Sequence, residues 1–522
     1  MTPIPAGTLP EASRGKGRQQ GGVKLVKRAV ALITASTVAG VAVATARPLE
    51  ITPYVGAEVT ISDNIDLEPR GQEDSAIVTT AYGGFEALYD SPRFSGGGVL
   101  ELAGDVYHGR DNGRKFDGLR VNANAFGTAE IIPNRAYVDL SGYWRDVLVN
   151  SDGRISLNPV AGAGSRTGVG SITISPSYRQ PLGPNLQGEL RTTHSFTGGA
   201  SGDVSTEVRN AARASLGTTR PFGRIGFESF AEYSNSQSDE NGGLNDLERA
   251  TAQATVSYEV SPRFALLARG GYDEVDSAGF TEDMSGFSYG AGFRARPTPR
   301  SSIEVIVGER YNDLNVEADA RYQLTDRITA GVRYYQDVAT SSYSESELYQ
   351  ARFLQSLGIF GTPTESQRAF AQQEVALLQS AGFLSTGGTN RVYRSTVLSG
   401  YLTGQFNTNR VYLNVFGQER DFDILNPGDP SIDEQSINFV AGWEKQFSSR
   451  LTGTAEASYR YYVADNPVTS DTDTYGLRLM ADYQLTPTVD IYGGLIHTTR
   501  QATFNADEYR ENAALVGARA RF

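Results

Sequence analysis

Three histidines, His108, His194 and His497, are the only imidazoles in the 522-residue chain, and cysteine is absent. Thiol nucleophiles, thiolate metal sites and disulfides are therefore excluded. Neither H-E-x-x-H nor G-x-S-x-G occurs, so the metalloprotease and hydrolase-elbow motifs are missing. A Ser/His pair in a membrane-embedded hydrolase is the remaining catalytic option, but His194 and His497 share the apolar parity of their segments, which fits a membrane interface better than a buried dyad. Asp63, Asp66 and Glu68, or Asp471 and Asp473, have the chemistry to hold Ca²⁺ against lipid phosphates; their spacing matches no calcium loop, and solvated loop charge accounts for them as well. The largest set of chemically capable residues is ionic: Glu189, Arg191, Glu207, Arg209, Arg213, Glu317, Asp319, Arg321, Arg478, Asp482, Arg519 and Arg521 all fall on the polar parity of alternating segments. With both signs on single segments, such a wall would set up a transverse field and little net ion preference. A plainer reading is that these charges solvate the wall and pair with one another. Nothing in the sequence calls for a cofactor or a resident metal.

The segments that must carry these residues alternate over ten to fourteen positions. Leu314, Val316, Ala318, Ala320, Tyr322 and Leu324 interleave with Asn315, Glu317, Asp319, Arg321 and Gln323; Tyr475, Leu477, Leu479, Ala481 and Tyr483 oppose Gly476, Arg478, Met480 and Asp482. Side chains on a strand point alternately to opposite faces. Alternation this long suits a tilted membrane-spanning strand better than the five or six residues of a soluble sandwich. Ten short turn signals, from Ser91-Pro92-Arg93 to Thr486-Pro487-Thr488, recur about forty residues apart, with exceptions of about 51, 27 and 82. Longer polar stretches lie midway, such as 111–117, 235–245, 421–433 and 466–473. Ten short turns join ten pairs of strands, and a first strand near Ile51–Ser62 plus the last one bring the total to about twenty-two. That number is even, with both ends on the short-turn side, as in a bacterial outer-membrane barrel. A propeller shares the period but needs four short strands per repeat. The predicted fold class is thus all-β, a transmembrane antiparallel β-barrel of about 22 strands.

Composition agrees. Mean hydropathy is -0.35, and no apolar run long enough for a spanning helix occurs beyond the N-terminus. Net charge is -13, which argues against nucleic acid as a partner. Lys24, Lys27 and Arg28 precede an apolar run from Ala29 to about Val43, and Ala44-Thr45-Ala46 has the small-x-small form of a signal-peptidase site. Residues 1–46 are read as an extension plus cleaved signal peptide, leaving 47–522 as one barrel domain with 41 basic and 59 acidic residues. Translation from near Val23 is a further option, which peptide mapping of the N-terminus would decide. The 82-residue spacing holds an insertion, 344–388, that reads as a helical hairpin in an outer loop. Ser344 and Glu347 form a capping box ahead of Tyr349, Phe353 and Leu357, while Thr362, Pro363 and Glu365 open a second helix carrying Ala371, Val375 and Leu378. These six apolar residues are the expected gate, unless the hairpin is a loop decoration that gates nothing.

The last segment, Glu511 to Phe522, resembles the closing strand of Gram-negative outer-membrane barrels. Gly517, Ala520 and the terminal Phe522 match that assembly signal, while Leu515 stands where a polar residue is usual. The segment Val59-Thr60-Ile61-Ser62-Asp63-Asn64-Ile65 resembles the opening of the β-barrel porin 2 family, whose relatives are encoded with exopolysaccharide and PEP-CTERM loci. The resemblance implies an outer-membrane pore, in its most specific form a passage for an exported polysaccharide, with outer-membrane lipid, the barrel-assembly machinery and a periplasmic export component as partners. TonB-dependent receptors also have twenty-two strands but carry a plug domain ahead of the barrel, for which the interval between Ala46 and the first strand leaves no room. A structural or adhesive barrel with a closed pore is the alternative of a different class, and a membrane-embedded hydrolase a third.

Overall fold

The computed structural model describes residues 49–109, 116–148, 153–200, 206–239, 246–277, 283–340, 392–422, 433–465, 471–504 and 507–522. The segment read above as a signal peptide and the 344–388 insertion, with the six residues expected to form a gate, lie outside them. The first strands are β1 (Glu50–Ser62), β2 (Ala76–Asp90), β3 (Phe94–His108), β4 (Phe116–Ile132), β5 (Ala136–Leu148), β6 (Arg166–Pro181) and β7 (Leu186–Gly199). They are followed by β8 (Glu207–Thr218), β9 (Ile225–Ser238), β10 (Leu247–Ser261), β11 (Phe264–Asp276), β12 (Gly286–Ala295), β13 (Ser301–Arg310) and β14 (Asp313–Thr325). The remainder are β15 (Ile328–Thr340), β16 (Val392–Phe406), β17 (Asn409–Asp421), β18 (Glu434–Gln446), β19 (Leu451–Ala464), β20 (Thr472–Thr486), β21 (Val489–Ala502) and β22 (Tyr509–Arg521). Each pairs antiparallel with its neighbours in sequence, and β1 pairs with β22 from Tyr54↔Arg521 to Ser62↔Ala513, closing the sheet. The ten short turns fall where the turn signals stand. One boundary differs: the polar stretch from Asn235 belongs to β9 as far as Ser238, because its small hydroxyls still alternate in register with β8 and β10.

Parity separates two faces. Ile51, Val55, Val59 and Ile61 of β1 are exposed outward, while Tyr54, Thr60 and Ser62 are buried on the inner side. Aromatics ring the outer face in two belts. Phe264, Phe293, Trp443 and Tyr483 lie toward the short turns; Tyr272, Phe287, Tyr289 and Tyr475 lie toward the long loops. Tyr475 and Tyr483 share a strand and stand eight residues apart, ~27 Å along it at ~3.4 Å per residue, or ~20 Å along the axis at ~40° tilt.

The seam is fastened from inside. Tyr82 of β2 lies flat over Gly56 of β1, Tyr492 of β21 lies over Gly517 of β22, and the two hydroxyls meet across the β1/β22 junction at 3.0 Å. A Cβ at Gly517 would occupy the space of the Tyr492 ring. Gly517 is therefore required by packing in the finished barrel.

Two of the places where the ladder stops short on the long-loop side stand out. β4 and β5 pair only between Ala123↔Trp144 and Ile132↔Ala136, so Arg145 to Leu148 pair with β6 alone. β14 and β15 pair only between Ala318↔Tyr334 and Thr325↔Ile328, so Tyr335 to Thr340 pair with β16 alone. At each split a hairpin is released from one neighbour and free to bend. Between them, β13 and β14 are joined by a two-residue turn, with Tyr311 (φ 55°) and Asn312 (φ 60°) both left-handed, as a type I′ hairpin requires.

Gly517→Val should block seam closure, seen as loss of the heat-modifiable folded band on gels. The double substitution with Tyr492→Ala should restore much of it, because the clash is with that ring.

Candidate functional site

The inward-bending segments define the site. The loop after β5, described from Gly153 to Ser165, crosses the interior from β5 and β6 to strands on the far side. Its anchor is the Glu511 carboxylate of β22, fully buried, which accepts from Ser156 Oγ, from Asn158 Nδ2 at 2.7 Å and from Ser62 Oγ at 2.7 Å. Tyr509 Oη donates to the Ile155 carbonyl at 2.5 Å and accepts from its N–H at 2.9 Å; Tyr107 Oη of β3 donates to the Val160 carbonyl at 2.9 Å. Leu157 packs with Tyr412, Val440, Ile496 and Leu515, and Gly476 beneath it has no side chain, since a Cβ there would stand 2.7 Å from Leu157 Cδ1. Val160 and Ala161 pack with Ile65 and Leu67 of the loop after β1, and Gly162 N–H reaches the Ile65 carbonyl at 2.9 Å. Leu515 faces inward among these residues, which explains an apolar side chain on the polar parity of the closing strand.

The β15/β16 hairpin makes the second crossing. Thr340 Oγ1 donates to Glu207 of β8 at 2.8 Å, and Arg249 of β10 pairs with Asp337 at 2.5 Å. Six strands lie between β8 and β15 along the wall, so the Thr340 contact spans the interior. Tyr311 Oη donates to the same Asp337 at 3.1 Å, and burial followed by that carboxylate holds the phenol well above its ordinary range, so it remains a donor. Leu247, Met284, Tyr311, Val338 and Val392 form the apolar cluster under the hairpin.

All twelve ionic residues named above lie on the inward parity, and most are partnered there. Glu189 pairs with Arg179 and Arg191, and Arg191 with Asp139 at 2.9 Å. Glu232 gathers Arg209, Arg213 and Arg249. Glu317 binds Arg269 at 2.5 Å; Asp319 meets Arg321, Arg478 meets Glu456, and Asp490 takes both Arg519 and Arg521. Asp482 faces inward on β20 between Arg478 and Gln484. Of the assembly-signal residues, Gly517 is inward, while Ala520 is outward by parity and the terminal Phe522 is exposed. The histidines point outward: His194 Nδ1 pairs with Asn210 and His497 Nδ1 with Asn512, each at 2.8 Å. Among the described residues no group of three His, Asp or Glu is placed to hold a metal. Asp63 instead accepts from Asn512, Glu68 pairs with Arg154, and Asp471 and Asp473 line a polar cleft with Arg70, Arg500 and Arg510. Local sequence patterns do not reveal the 153–165 crossing; its signals are the 51-residue spacing and the misplaced Leu515.

The geometry thus defines the class: a closed, single-chain, 22-stranded antiparallel β-barrel with segments folded into its mouth. No family model matches the chain, and no curated protein does. Among solved structures it is similar to the siderophore receptor PirA from Acinetobacter baumannii (8% identity, TM-score 0.46, covering 91% of this chain and 80% of that one). It is also similar to a mutant of the ferric enterobactin receptor PfeA from Pseudomonas aeruginosa (9%, 0.44, 90% and 80%) and to the open form of the ferric-catecholate import receptor Fiu from E. coli K12 (12%, 0.46, 90% and 81%). At these scores the likenesses bear no weight on function, and the barrel rests on the strand pairing of this chain itself.

Glu511→Ala would leave Ser62, Ser156 and Asn158 without their common acceptor, at a cost of ~3 kcal/mol. The expected result is fast hydrogen exchange and protease cutting within 153–165 while the strands keep their protection.

Proposed function

We propose that the chain spans the outer membrane of a Gram-negative bacterium and serves as a passive channel whose mouth is narrowed by the two inward-folded segments. The observation that carries this is the partition of the wall: exposed apolar side chains and aromatic belts outside, ion pairs and hydroxyls inside. An outward apolar band is what hydrocarbon requires of a closed sheet, and a polar inner wall is what water or a hydrophilic solute requires. Barrels of 16 to 18 strands already enclose an aqueous channel, so twenty-two strands leave ample width for segments to fold in. An exported polysaccharide, delivered by a periplasmic component, is the most specific solute this reading offers. The 344–388 hairpin remains a proposed second gate, attached to the β15/β16 strands that already lean over the mouth. A closed structural barrel is the second reading, favoured by the apolar burial of Leu157 and Val160.

Single-channel recording of the refolded protein in planar bilayers tests both. Replacing 153–165 by a short Gly/Ser turn should raise conductance several-fold, and deleting 344–388 should raise it independently. Silence of both deletion variants, with folding shown on gels, would leave the closed structural barrel standing.

A further inference from the structure

The short-turn end carries a charge opposite to that of the whole chain. Nine arginines lie in the ten short turns, spread over seven of them, and all are exposed; Arg93, Arg220, Arg224, Arg263, Arg327 and Arg450 are six of these. The turns contain a single carboxylate, Asp326, which Arg300 holds. None of the six has a carboxylate at ion-pair distance among the described residues. The overall charge is nevertheless -13, and at the other end the loop after β1 alone, residues 63–75, sets five carboxylates against Arg70. Charge is therefore segregated along the barrel axis.

Next to the cationic turns the outer face is aromatic: Phe94, Phe222, Phe264, Phe293, Trp443 and Phe447 are all exposed. The turns bearing arginine follow β2, β4, β8, β10, β12, β14 and β18, so the charge is distributed around the circumference and is not gathered on one arc. A folded partner would meet one arc, and a solute entering the barrel would meet the inner rim. Only a surface that encircles the barrel meets every turn. We infer that this collar docks on the anionic headgroups of phospholipids in the leaflet surrounding the short-turn end, an inference that rests on the membrane-spanning reading above. Arginine has the chemistry for such a surface, because its stem lies along apolar groups while its guanidinium forks onto phosphate oxygens. Each cation near an anionic surface adds to the attraction.

The test uses the refolded full chain in phosphatidylcholine vesicles with and without phosphatidylglycerol, reading folding by heat-modifiable mobility and retained lipid by native mass spectrometry. The wild type should fold in both and retain phosphatidylglycerol over phosphatidylcholine by ~10-fold or more, less at high salt. Changing Arg93, Arg220, Arg224, Arg263, Arg327 and Arg450 to Gln should abolish that preference without preventing folding in phosphatidylcholine, and the corresponding six-Lys variant should keep most of it. Equal lipid preference in the wild type and the Gln variant would overturn the inference. So would a Gln variant that loses binding of soluble polyphosphate but keeps its lipid preference, since the collar would then serve a polymer. Failure of the wild type to insert into either vesicle is a separate result, which removes the membrane reading itself.

Discussion

On the membrane-spanning reading proposed above, the sheet cannot keep an edge, because every unpaired N–H and C=O in hydrocarbon would be left without water. Everything else in this molecule depends on how β1 closes on β22. The backbone ladder between them is reinforced from within by the Tyr82 and Tyr492 rings lying over Gly56 and Gly517. Toward the long loops the same two strands supply Ser62 and Glu511 to the crossing loop. The closing strand therefore completes the ladder, leaves room for a ring at Gly517 and presents the carboxylate that orders the interior. Closure and occlusion thus draw on the same two strands, closure through their backbone ladder and occlusion through their side chains.

Interior crossing segments face the same demand for satisfied polar groups as the edge does. Where β4 parts from β5 and β14 from β15, backbone groups leave the ladder, and the protein meets the cost with side chains. Tyr509 serves both the N–H and the carbonyl of Ile155, and Arg249 reaches the Val338 carbonyl at 3.2 Å. Apolar contacts do the rest. Burying Leu157 between strands on the far wall contributes ~2 kcal/mol, enough to hold a loop but within reach of displacement by a solute or a force.

The period of two made the wall readable from sequence, because one face meets apolar surroundings and the other polar ones over the whole length of each strand. β14 and β20 show it in full, and ten short turn signals, eight of them carrying Pro or Asn, led to the strand count. What escaped were features set by contacts distant in sequence. Glu511 reads as one more inward polar residue; nothing local says that Ser156 and Asn158, more than 350 residues earlier, will meet it. Gly476 likewise reads as a weak strand position until Leu157 is placed above it. The β13/β14 hairpin was compressed into the 27-residue spacing without a Gly to mark it, since Tyr311 and Asn312 take the left-handed positions themselves.

Every inward-facing cation of the described wall is an arginine; Lys445 lies outside, over Phe447. Guanidinium forks can hold two carboxylates at once, as Arg191 does between Asp139 and Glu189, or share one, as Arg209, Arg213 and Arg249 do around Glu232. A wall neutralised in this way offers dipoles and hydroxyls with little net field, so it would not sort ions by sign. Discrimination must then come from size and from the groups presented where the passage is narrowest. Those positions belong to the crossing loop and the β15/β16 hairpin, and the strand segments Arg145 to Leu148 and Tyr335 to Thr340 are released from one side of the sheet there. On the channel reading proposed above, the same breaks in the ladder that let these segments bend inward would therefore set the dimensions of the passage.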